Sequence, residues 1–446
     1  MSTPYLLLRS KTLPLRGIVH VTRLRLSLLL VFACALSFII VLHASGYLTV
    51  IFPKGSLPSI RMFSALRTAR IARIQKIAYD MSNGQRPVCS WNTWHAERYG
   101  RLENSGKLFL AMNLHNNEDV LPTFFQELPH LLQHLGPDHV YVSIYENGSG
   151  DRTPQMLNLL SELLEVLGTP HRVIADGSWK QSDKESGNRI NFLAAVRNTA
   201  MQPLYSGEAG EALGGVFDEV IWINDVFHCT ADILEILYQK RLQGAHQACA
   251  TDWGVWGDWV IYDRWVLRPM SGRVMYRHDE INDWFQGGYS AEEKIAHLPH
   301  LLPEDPDDRA RIERWFPLQV FSCWNGATVF DAASFLPPNN IRFRVSHADL
   351  DANGVSKDVT EKASECFLSS VDLWKHGLGK ILLVPKASVA YSYGDYETHR
   401  KDGALSKKHN GSEELVEWVV DPPKEVAMQD FANWWGPERW APWDEQ

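Results

Sequence analysis

The stretch that decides the fold reads D-E-V-I-W-I-N-D-V-F-H-C-T and covers residues 218–230. Residues 220–223 form a short apolar run rich in β-branched and aromatic side chains, which predicts a buried strand. The run stops at Asn224 and Asp225, and Thr230 offers an N-cap for a helix whose apolar residues follow at helical spacing. A carboxylate at this point lies where open α/β sheets bind their ligands.

Asp225 has two interpretations. Its carboxylate is the kind of oxygen ligand that a hard divalent cation prefers, and such a cation can bind a diphosphate. The simpler alternative is an Asp that only ends a strand and caps a turn. This stretch alone favours the simpler alternative, so the interpretation depends on the segments around it.

Composition restricts the class of protein. The chain has 446 residues, 45% of them hydrophobic, enough for one large core or two smaller ones. Residues 1–79 carry 11 Lys and Arg and no acid, whereas residues 80–446 carry 33 basic and 53 acidic residues, a net charge of −20. An acidic body argues against nucleic acid as a partner. All 17 Trp follow residue 90; they can stack on sugars, but core packing is the safer interpretation.

The N-terminal region predicts a membrane anchor. Residues 26–52 contain no charged residue and are long enough to cross a hydrocarbon layer of about 30 Å. Basic residues precede them and no convincing cleavage site follows, which predicts an uncleaved signal anchor. Because basic residues flank this segment on both sides, the positive-inside rule gives little preference for either orientation. The short acid-free tail at 1–25 and two downstream glycosylation sequons favour a single-pass type II protein of the Golgi or another secretory-pathway membrane, with a lumenal catalytic domain.

Two further segments flank the catalytic region. Residues 53–105 are predicted to form a basic stem, in which basic side chains recur every third position with apolar ones between them. That pattern suits a helix on anionic headgroups and suits a solvated stem equally well. Residues 401–446, first polar and then rich in Trp and Pro, are predicted to form a C-terminal tail.

Cysteine is sparse. Cys34 lies in the apolar segment, and the five others cannot all pair and show no C-x-x-C spacing. Neither a zinc site nor a disulfide scaffold is therefore predicted, although one or two bridges in an oxidising lumen stay open.

Strands and helices alternate through residues 106–400, which predicts an α/β fold with a mostly parallel sheet covered on both faces. The predicted strands are 108–114, 139–145, 172–175, 220–223, 248–251, a stretch within 320–330, and 381–391. The predicted helices are 121–135, 154–167, 190–201, 231–242 and 365–374. Residues 253–318 are less regular and read as loops with short helices.

Three successive strands end in polar residues, namely N-N-E at 116–118, E-N-G-S-G-D at 146–151 and N-D at 224–225. In this order, and with Arg197-Asn198 before the third strand, they resemble the nucleotide-sugar-binding half of a GT-A glycosyltransferase. One departure concerns the usual D-x-D motif, because Asn224-Asp225 keeps a single carboxylate. The predicted fold is therefore a GT-A-like nucleotide-sugar-binding fold preceded by one transmembrane helix.

More narrowly, the chain resembles glycosyltransferase family 69, the fungal capsule-associated α-1,3-mannosyltransferases of cryptococcal type. The motifs that carry the resemblance are N-L-H-N-N-E-D-V-L-P (113–122), Y-E-N-G-S-G-D-R-T (145–153), R-I-N-F-L-A-A-V-R-N (189–198), W-I-N-D-V (222–226), C-A-T-D-W (249–253), S-C-W-N-G-A (322–327) and S-E-C-F-L (364–368). The resemblance implies a membrane-anchored enzyme that moves mannose from GDP-mannose to a glycan acceptor with retention, assisted by Mn²⁺ or Mg²⁺.

The candidate site residues fall into four groups. The catalytic candidates are Asp225, Glu365 and Asp252. The donor-binding candidates are Asn116, Glu118, Glu146, Asn147, Asp151, Arg197, Asn198 and Asn224. The acceptor-side candidates are Trp324, Asn325, Gly326 and Asp372. The metal-ligand candidates are Asp225 and His399. Simpler alternatives remain for several: a helix-start charge at Glu365, a surface histidine at His399 and core packing at Trp324 and Gly326.

Two other functions are compatible with the sequence. One is a non-catalytic, membrane-anchored glycan-binding or assembly factor of capsule or cell-wall polysaccharide, and Asn224 is its main support. The other is a two-carboxylate glycosidase, which leaves the turn at 146–151 unexplained. The combination of Glu118, Arg197, Asp225 and Glu365 favours the transferase.

Overall fold

The computed structural model describes residues 58–176, 189–254, 260–290, 293, 300–302, 304–347, 363–402, 413–428 and 439–446. The predicted membrane anchor at 26–52 and the tail before it lie outside these ranges. Within the ranges that are described, helices of membrane-spanning length and hydropathy are absent.

The helices and strands follow the predicted alternation. The helices are α1 Pro58–Met81, α2 Thr93–Tyr99, α3 Leu121–Leu135, α4 Thr153–Leu167, α5 Arg189–Ala200, α6 Gln202–Tyr205, α7 Glu208–Leu213, α8 Thr230–Gln243, α9 His278–Gln286, α10 Pro306–Glu313, α11 Glu365–Lys375 and α12 Tyr393–Asp402. The strands are β1 Leu108–Leu114, β2 Val140–Glu146, β3 His171–Ile174, β4 Glu219–Ile223, β5 Gln247–Trp253, β6 Arg268–Pro269, β7 Leu318–Ser322, β8 Ala327–Asp331, β9 Ile381–Ala390, β10 Glu425–Met428 and β11 Arg439–Pro442.

The first nine strands form one sheet in the order β3-β2-β1-β4-β8-β5-β9-β7-β6. Neighbours pair in parallel from β3 to β4 and between β5 and β9, and the antiparallel pairs all involve β7 or β8. Among the described strands of this sheet, only β7 and β8 therefore run against the others. The prediction of a mostly parallel α/β sheet is confirmed, but the stretch 320–330 falls in two strands, β7 and β8, that both run antiparallel to the rest of the sheet.

The local sequence explains most element boundaries. Helix α3 has the predicted bounds, since Pro122 suits its first turn and Gly136 follows its last residue with a positive φ of 92°. The N-cap prediction for Thr230 is wrong by one residue, because α8 begins at Thr230 and Cys229 occupies the N-cap. Thr230 instead donates from its backbone N–H to Glu127 Oε2 at 2.8 Å.

Apolar side chains pack on both faces of the sheet. Helices α3, α4 and α8 cover one face, and α5 and α11 contribute to the core on the other. Trp222, Trp284 and Trp324 are among the largest fully buried side chains, which confirms the core interpretation for these three tryptophans. The two buried faces leave the carboxyl edge of the parallel strands as the place where polar side chains gather.

Parts of the predicted stem and tail pack on the catalytic region. In α1, Ile74 and Ala78 are buried and Gln75 Nε2 donates to Phe125 O at 2.8 Å. In the tail, Val426 is buried in β10. The next residue of β10, Ala427, accepts a hydrogen bond at its carbonyl oxygen from Arg268 Nε at 2.6 Å. The functional boundaries of stem and tail stay predictions.

Two disulfides form, Cys89–Cys229 and Cys249–Cys323, and Cys366 is a buried free thiol. The sequence left one or two disulfides open, and the structure contains two among the described residues. Each joins segments far apart in the chain, separated by 140 and 74 residues. Cross-links of this span stabilise the fold chiefly by restricting the unfolded chain.

Candidate active site

A cavity of about 620 Å³ opens where β1, β2, β4 and β9 end. Of the predicted site residues, those that line it are Asn147, Arg197, Asn224, Asp225, Trp324 and Glu365. They come from five separate motifs, and the fold brings them to one surface. The remaining predicted residues lie behind this surface or outside it.

Asp225 is fixed by a neutral neighbour. Its Oδ2 accepts a hydrogen bond from Asn117 Nδ2 at 2.9 Å, and Asn117 Oδ1 accepts one from the backbone N–H of His115 at 2.6 Å. The described residues provide no ion pair for this carboxylate. Its negative charge therefore faces the cavity without a protein cation, which is the condition a bound cation requires.

Asn224 holds the strand end together. Its Oδ1 accepts hydrogen bonds from the indole N–H groups of Trp222 and Trp324, both at 3.1 Å, and its Nδ2 donates to the Tyr391 hydroxyl at 2.9 Å. The backbone N–H of Asn224 also donates to Gly326 O at 2.8 Å. An amide that is occupied on both sides explains the departure from a second carboxylate: this residue orients the loop that carries Asp225.

Glu365 and Arg197, which also line the cavity, form a buried ion pair. Arg197 Nε donates to Glu365 Oε1 at 2.9 Å, and their side chains are only 8% and 2% exposed. The guanidinium carbon lies 4.4 Å from the Trp324 ring centroid and 5.1 Å from that of Trp222. Burial acts to lower the pKa of Arg197, but the neighbouring Cys366 and Glu365 outweigh it and the pKa is raised.

Four predicted donor-binding residues form hydrogen bonds within and between the loops after β1 and β2. Asn116 Oδ1 accepts from Gly150 N at 2.8 Å, and Asp151 Oδ2 accepts from Glu118 N at 3.0 Å. Glu118 Oε2 in turn accepts from the Arg152 backbone N–H at 2.9 Å. The loop after β1 is thus joined to the turn after β2. Glu146 Oε1 accepts a hydrogen bond from Ser149 N inside that turn. These contacts support the shape of the donor-side loops rather than showing a direct role in binding.

Asn147 and Asn198 differ in placement. Asn147 is 3% exposed and lines the cavity, and the described residues provide no hydrogen-bond partner for its Oδ1. Asn198 lies away from the lining: its Nδ2 donates to Phe343 O at 2.8 Å and its Oδ1 accepts from Phe343 N at 3.1 Å. A buried carbonyl oxygen beside a cavity suits a ligand, whereas an amide paired with backbone on both sides suits loop anchoring.

Asp252 belongs to a buried carboxylate pair. Its Oδ1 accepts from Asn325 Nδ2 at 2.7 Å and from Asp263 N at 3.3 Å, and Asp263 Oδ2 accepts from Asn325 N at 3.3 Å. Burial, and then Asp263, raise the pKa of Asp252 well above its usual value. Burial raises the pKa of Asp263 to about 6. Of the pair, Asp263 lines the cavity and the fully buried Asp252 does not.

The other predicted residues are not brought to the cavity. Asn325 is fully buried, and a Cβ on Gly326 would approach Val389 and Val226 within about 3 Å, so both serve packing rather than acceptor contact. Asp372 pairs with Arg344 at 2.6 Å. His399 is 1% exposed and stacks on Trp253 with ring centroids 4.9 Å apart, so it is not a surface histidine and the structure gives its metal role no support.

Sequence reasoning missed several polar residues of the lining, among them His115, Arg189, Tyr262, Asp263 and Tyr391. His115 directly follows a predicted strand, Tyr391 is the last residue of another, and Arg189 is in a quoted motif, so position gave a signal for these three. Tyr262 and Asp263 lie in the irregular stretch 253–318, where no periodicity marks a strand end.

The lining suits a divalent cation that arrives with phosphate. It contains three carboxyl groups, those of Asp225, Asp263 and Glu365, and two guanidinium groups, those of Arg189 and Arg197. A diphosphate entering a wall of net negative charge needs an additional positive charge. Cations of the Mg²⁺ type commonly use one or two protein carboxylates and complete their shell with phosphate oxygens and water, which Asp225 can satisfy.

The described residues contain one other cluster of metal-ligand type, formed by Cys89, Glu127 and Cys229. Its two sulfurs are joined in a disulfide, and Glu127 accepts hydrogen bonds from Thr230. This cluster is therefore not a metal site.

The fold is α/β, and the family to which the chain belongs makes it a glycosyltransferase. The chain belongs to the family described as cryptococcal mannosyltransferase 1, whose profile matches residues 107–372. The α-1,3-mannosyltransferase CMT1 of Cryptococcus neoformans is 33% identical over 372 residues, which cover 78% of this chain and 75% of that protein. The predicted family membership is confirmed.

Two solved structures are similar at a lower level. Residues 1–349 of TarS from S. aureus match with 12% identity and a TM-score of 0.33, over 66% of this chain and 64% of that one, less than two thirds of its length. The mannosyltransferase PcManGT from Pyrobaculum calidifontis, in complex with GDP-Man and Mn²⁺, matches with 10% identity and a TM-score of 0.34, over 74% and 67%. Likenesses of this size carry no argument about the present chain.

Proposed function

We propose that this glycosyltransferase moves mannose from GDP-mannose to a hydroxyl of a glycan acceptor, with an α-1,3 product, retention of configuration and a divalent cation, Mn²⁺ or Mg²⁺. The observation that carries the proposal is the Asp225 carboxylate, which faces the cavity with only the neutral Asn117 amide as partner. The name of the Cryptococcus relative supports the sugar and the linkage.

The donor occupies the part of the cavity beneath the joined loops after β1 and β2. Asn147 offers its buried Oδ1 to a hydroxyl or amine of the nucleotide sugar. The contacts of Asn116, Glu118 and Asp151 hold this surface in shape before the donor arrives, which lowers the entropy cost of binding.

Bond breaking builds negative charge on the leaving diphosphate. The cation held by Asp225 would supply fixed positive charge at that place. Asn117 and Asn224 keep the Asp225 loop in position, and Arg197 adds a positive charge that Glu365 largely balances. A preorganised wall of this kind stabilises developing charge without rearranging at the moment of reaction.

Asp263 is the carboxylate best placed to exchange a proton with the acceptor hydroxyl. It lines the cavity, and burial raises its pKa to about 6, close to neutral pH. Glu365 is a weaker candidate for this step because its Oε1 already accepts a hydrogen bond from Arg197 Nε in a buried ion pair. Transfer with retention places the acceptor on the same face of the sugar as the leaving group. The same side of the cavity can therefore contact both the acceptor hydroxyl and the leaving diphosphate.

The decisive experiment offers a panel of nucleotide sugars to the fragment 53–446, with Mn²⁺, with Mg²⁺ and with a chelator. We expect GDP release and mannose transfer from GDP-mannose only with a cation. Equal release from UDP-sugars, or full activity in chelator, would contradict the proposal. Hydrolysis of glycosides without any nucleotide sugar would favour a glycosidase instead.

Membrane anchoring through residues 26–52 is part of the same proposal and rests on their charge-free sequence. Protease added to sealed microsomes should spare the catalytic domain and cut only residues near the N-terminus. Digestion of the large domain from outside would overturn the type II orientation.

A further inference from the structure

A second, larger concavity of about 1030 Å³ lies on the catalytic domain and shares no lining residue with the active-site cavity. Residues 84–91, the outer face of α3 and the beginning of α8 line it, and we call it the α3 groove. None of the predicted site residues is part of it. Its size is at the upper end of ordinary ligand sites.

The linings of the α3 groove and of the active-site cavity come close together along the chain. Tyr391 lines the cavity and Tyr393 lines the groove, and two residues of extended chain span at most about 7 Å. A second connection joins Asp225 in the cavity to Cys229 in the groove, four residues on. A polymer with one end at the reacting centre is therefore within reach of the groove.

The lining has the chemistry of a carbohydrate site. The Trp91 side chain is 46% exposed, although it packs against His95 and His134 with ring centroids 5.3 Å from each. A held but exposed indole offers an apolar face to the C–H face of a sugar. His130 and Gln133 are exposed on the outer face of α3 and offer donors and acceptors for hydroxyl groups.

The groove is also preformed. The Cys89–Cys229 disulfide ties residues 84–91 to the loop that follows Asp225, and Gln126 Nε2 donates to Pro87 O at 2.8 Å. Ser82 Oγ donates to Glu118 O at 2.6 Å, which joins the same segment to the donor-side loops. A rigid lining loses little conformational entropy when a ligand binds, so weak sugar contacts are enough for affinity.

We infer that the α3 groove is an extended acceptor subsite that binds the sugar units of the glycan beyond the one that receives mannose. This inference rests on the proposed function for the identity of the acceptor. The enzyme would then prefer long acceptors to short ones through binding alone. Contacts far from the reacting hydroxyl that are equally strong in substrate and transition state change KM and leave kcat unchanged.

The test compares α-1,3-linked mannotetraose with mannobiose as acceptors for the fragment 53–446 and its variants. For Trp91→Ala we expect KM for the tetraose to rise about tenfold, with kcat and the KM for the biose unchanged. Gln133→Ala, an exposed change that spares the core, should raise KM for the tetraose by a smaller factor. Trp440→Ala is the matched control, because Trp440 is 39% exposed outside the groove.

A binding measurement separates failure of this inference from failure of the proposed function. Asp225→Asn protein, loaded with the tetraose and followed by tryptophan fluorescence, should bind it more tightly than the biose, and Trp91→Ala should abolish the difference. This result supports the subsite even if GDP-mannose proves not to be the donor. Equal binding of both oligosaccharides, or a KM for the tetraose that Trp91→Ala and Gln133→Ala leave unchanged, overturns the inference.

Discussion

Two carboxylates that line the active-site cavity, Glu365 and Asp225, are partnered in different ways. Glu365 is 2% exposed at its side chain and accepts a hydrogen bond from Arg197 Nε at 2.9 Å. Asp225 has a neutral partner, Asn117, at the same distance. Glu365 and Asp225 are both carboxylates that line the cavity. They differ in the charge of the side chain that donates a hydrogen bond to them.

This difference separates two roles. The charge of Glu365 is balanced within the protein, so its main contribution is to the folded state and to the position of Arg197. The charge of Asp225 is balanced by nothing among the described residues, so it is available to a cation that brings phosphate. Motif position alone suggested catalysis for both.

Glu365→Gln is expected to give the largest loss of stability. Removing one partner of a buried ion pair leaves Arg197 with an uncompensated charge, which costs about 3–5 kcal/mol in the free energy of unfolding. Asp372→Asn is the matched control on the same helix, since Asp372 pairs with Arg344 at side-chain exposures of 13% and 20%. Urea denaturation of the two variants measures the difference. Equal losses in the free energy of unfolding for the two variants would contradict the larger contribution expected from the Glu365–Arg197 ion pair.

Asp263→Asn is expected to change the pH dependence of stability. Because burial raises the pKa of Asp263 from 3.8 to about 6, the folded protein binds more protons than the unfolded chain between those values. The free energy of unfolding therefore falls as pH rises from 4 to 6, by at most about 3 kcal/mol. The variant should lack the part of this fall that Asp263 causes, whereas the part caused by Asp252 remains. Parallel curves for wild type and variant between pH 4 and 7 would contradict the shifted pKa.

Local patterns predicted the elements of the donor half because strands there end at turn residues. The apolar runs ending at Leu114 and Ile223 became β1 and β4, and α3 has the predicted bounds. The partners of the site residues could not be predicted in this way. Arg197 and Glu365 are 168 residues apart in the chain, and Asp263 is 62 residues from the Asn325 amide that it meets. Such pairs form only when the sheet packs, and the periodicity of a local stretch of sequence does not show which distant residues will meet.

The same limit applies to the cysteines and to the acceptor side. Five candidate cysteines without a motif spacing gave no pairing, and each of the two bridges joins segments that only the folded chain brings together. The S-C-W-N-G-A motif suggested acceptor contacts, yet only Trp324 reaches the cavity, because the turn before β8 must pass close to Val226 and Val389.

The smallest expected change concerns the two sequons. Asn147 is 3% exposed and lines the cavity, so a glycan there would prevent folding or block the site. Asn410 lies outside the described residues, in a polar segment of sequence that suits a glycan. Glycopeptide mass spectrometry of protein from a eukaryotic host should find sugar on Asn410 and none on Asn147. A glycan on Asn147 of active enzyme would remove that turn from the donor site.

The most direct measurement is the transfer rate of Asp225→Asn with GDP-mannose over a range of Mn²⁺ concentrations. The change is nearly isosteric, so Tm should stay close to that of the wild type. Loss of the carboxylate should lower the rate by about a hundredfold or more, since each ~1.4 kcal/mol of transition-state stabilisation is a factor of ten. Higher Mn²⁺ should restore part of the rate, and Asp372→Asn, the same substitution away from the cavity, should leave it largely unchanged. Near-normal turnover by a folded Asp225→Asn protein would contradict the role assigned to this strand end.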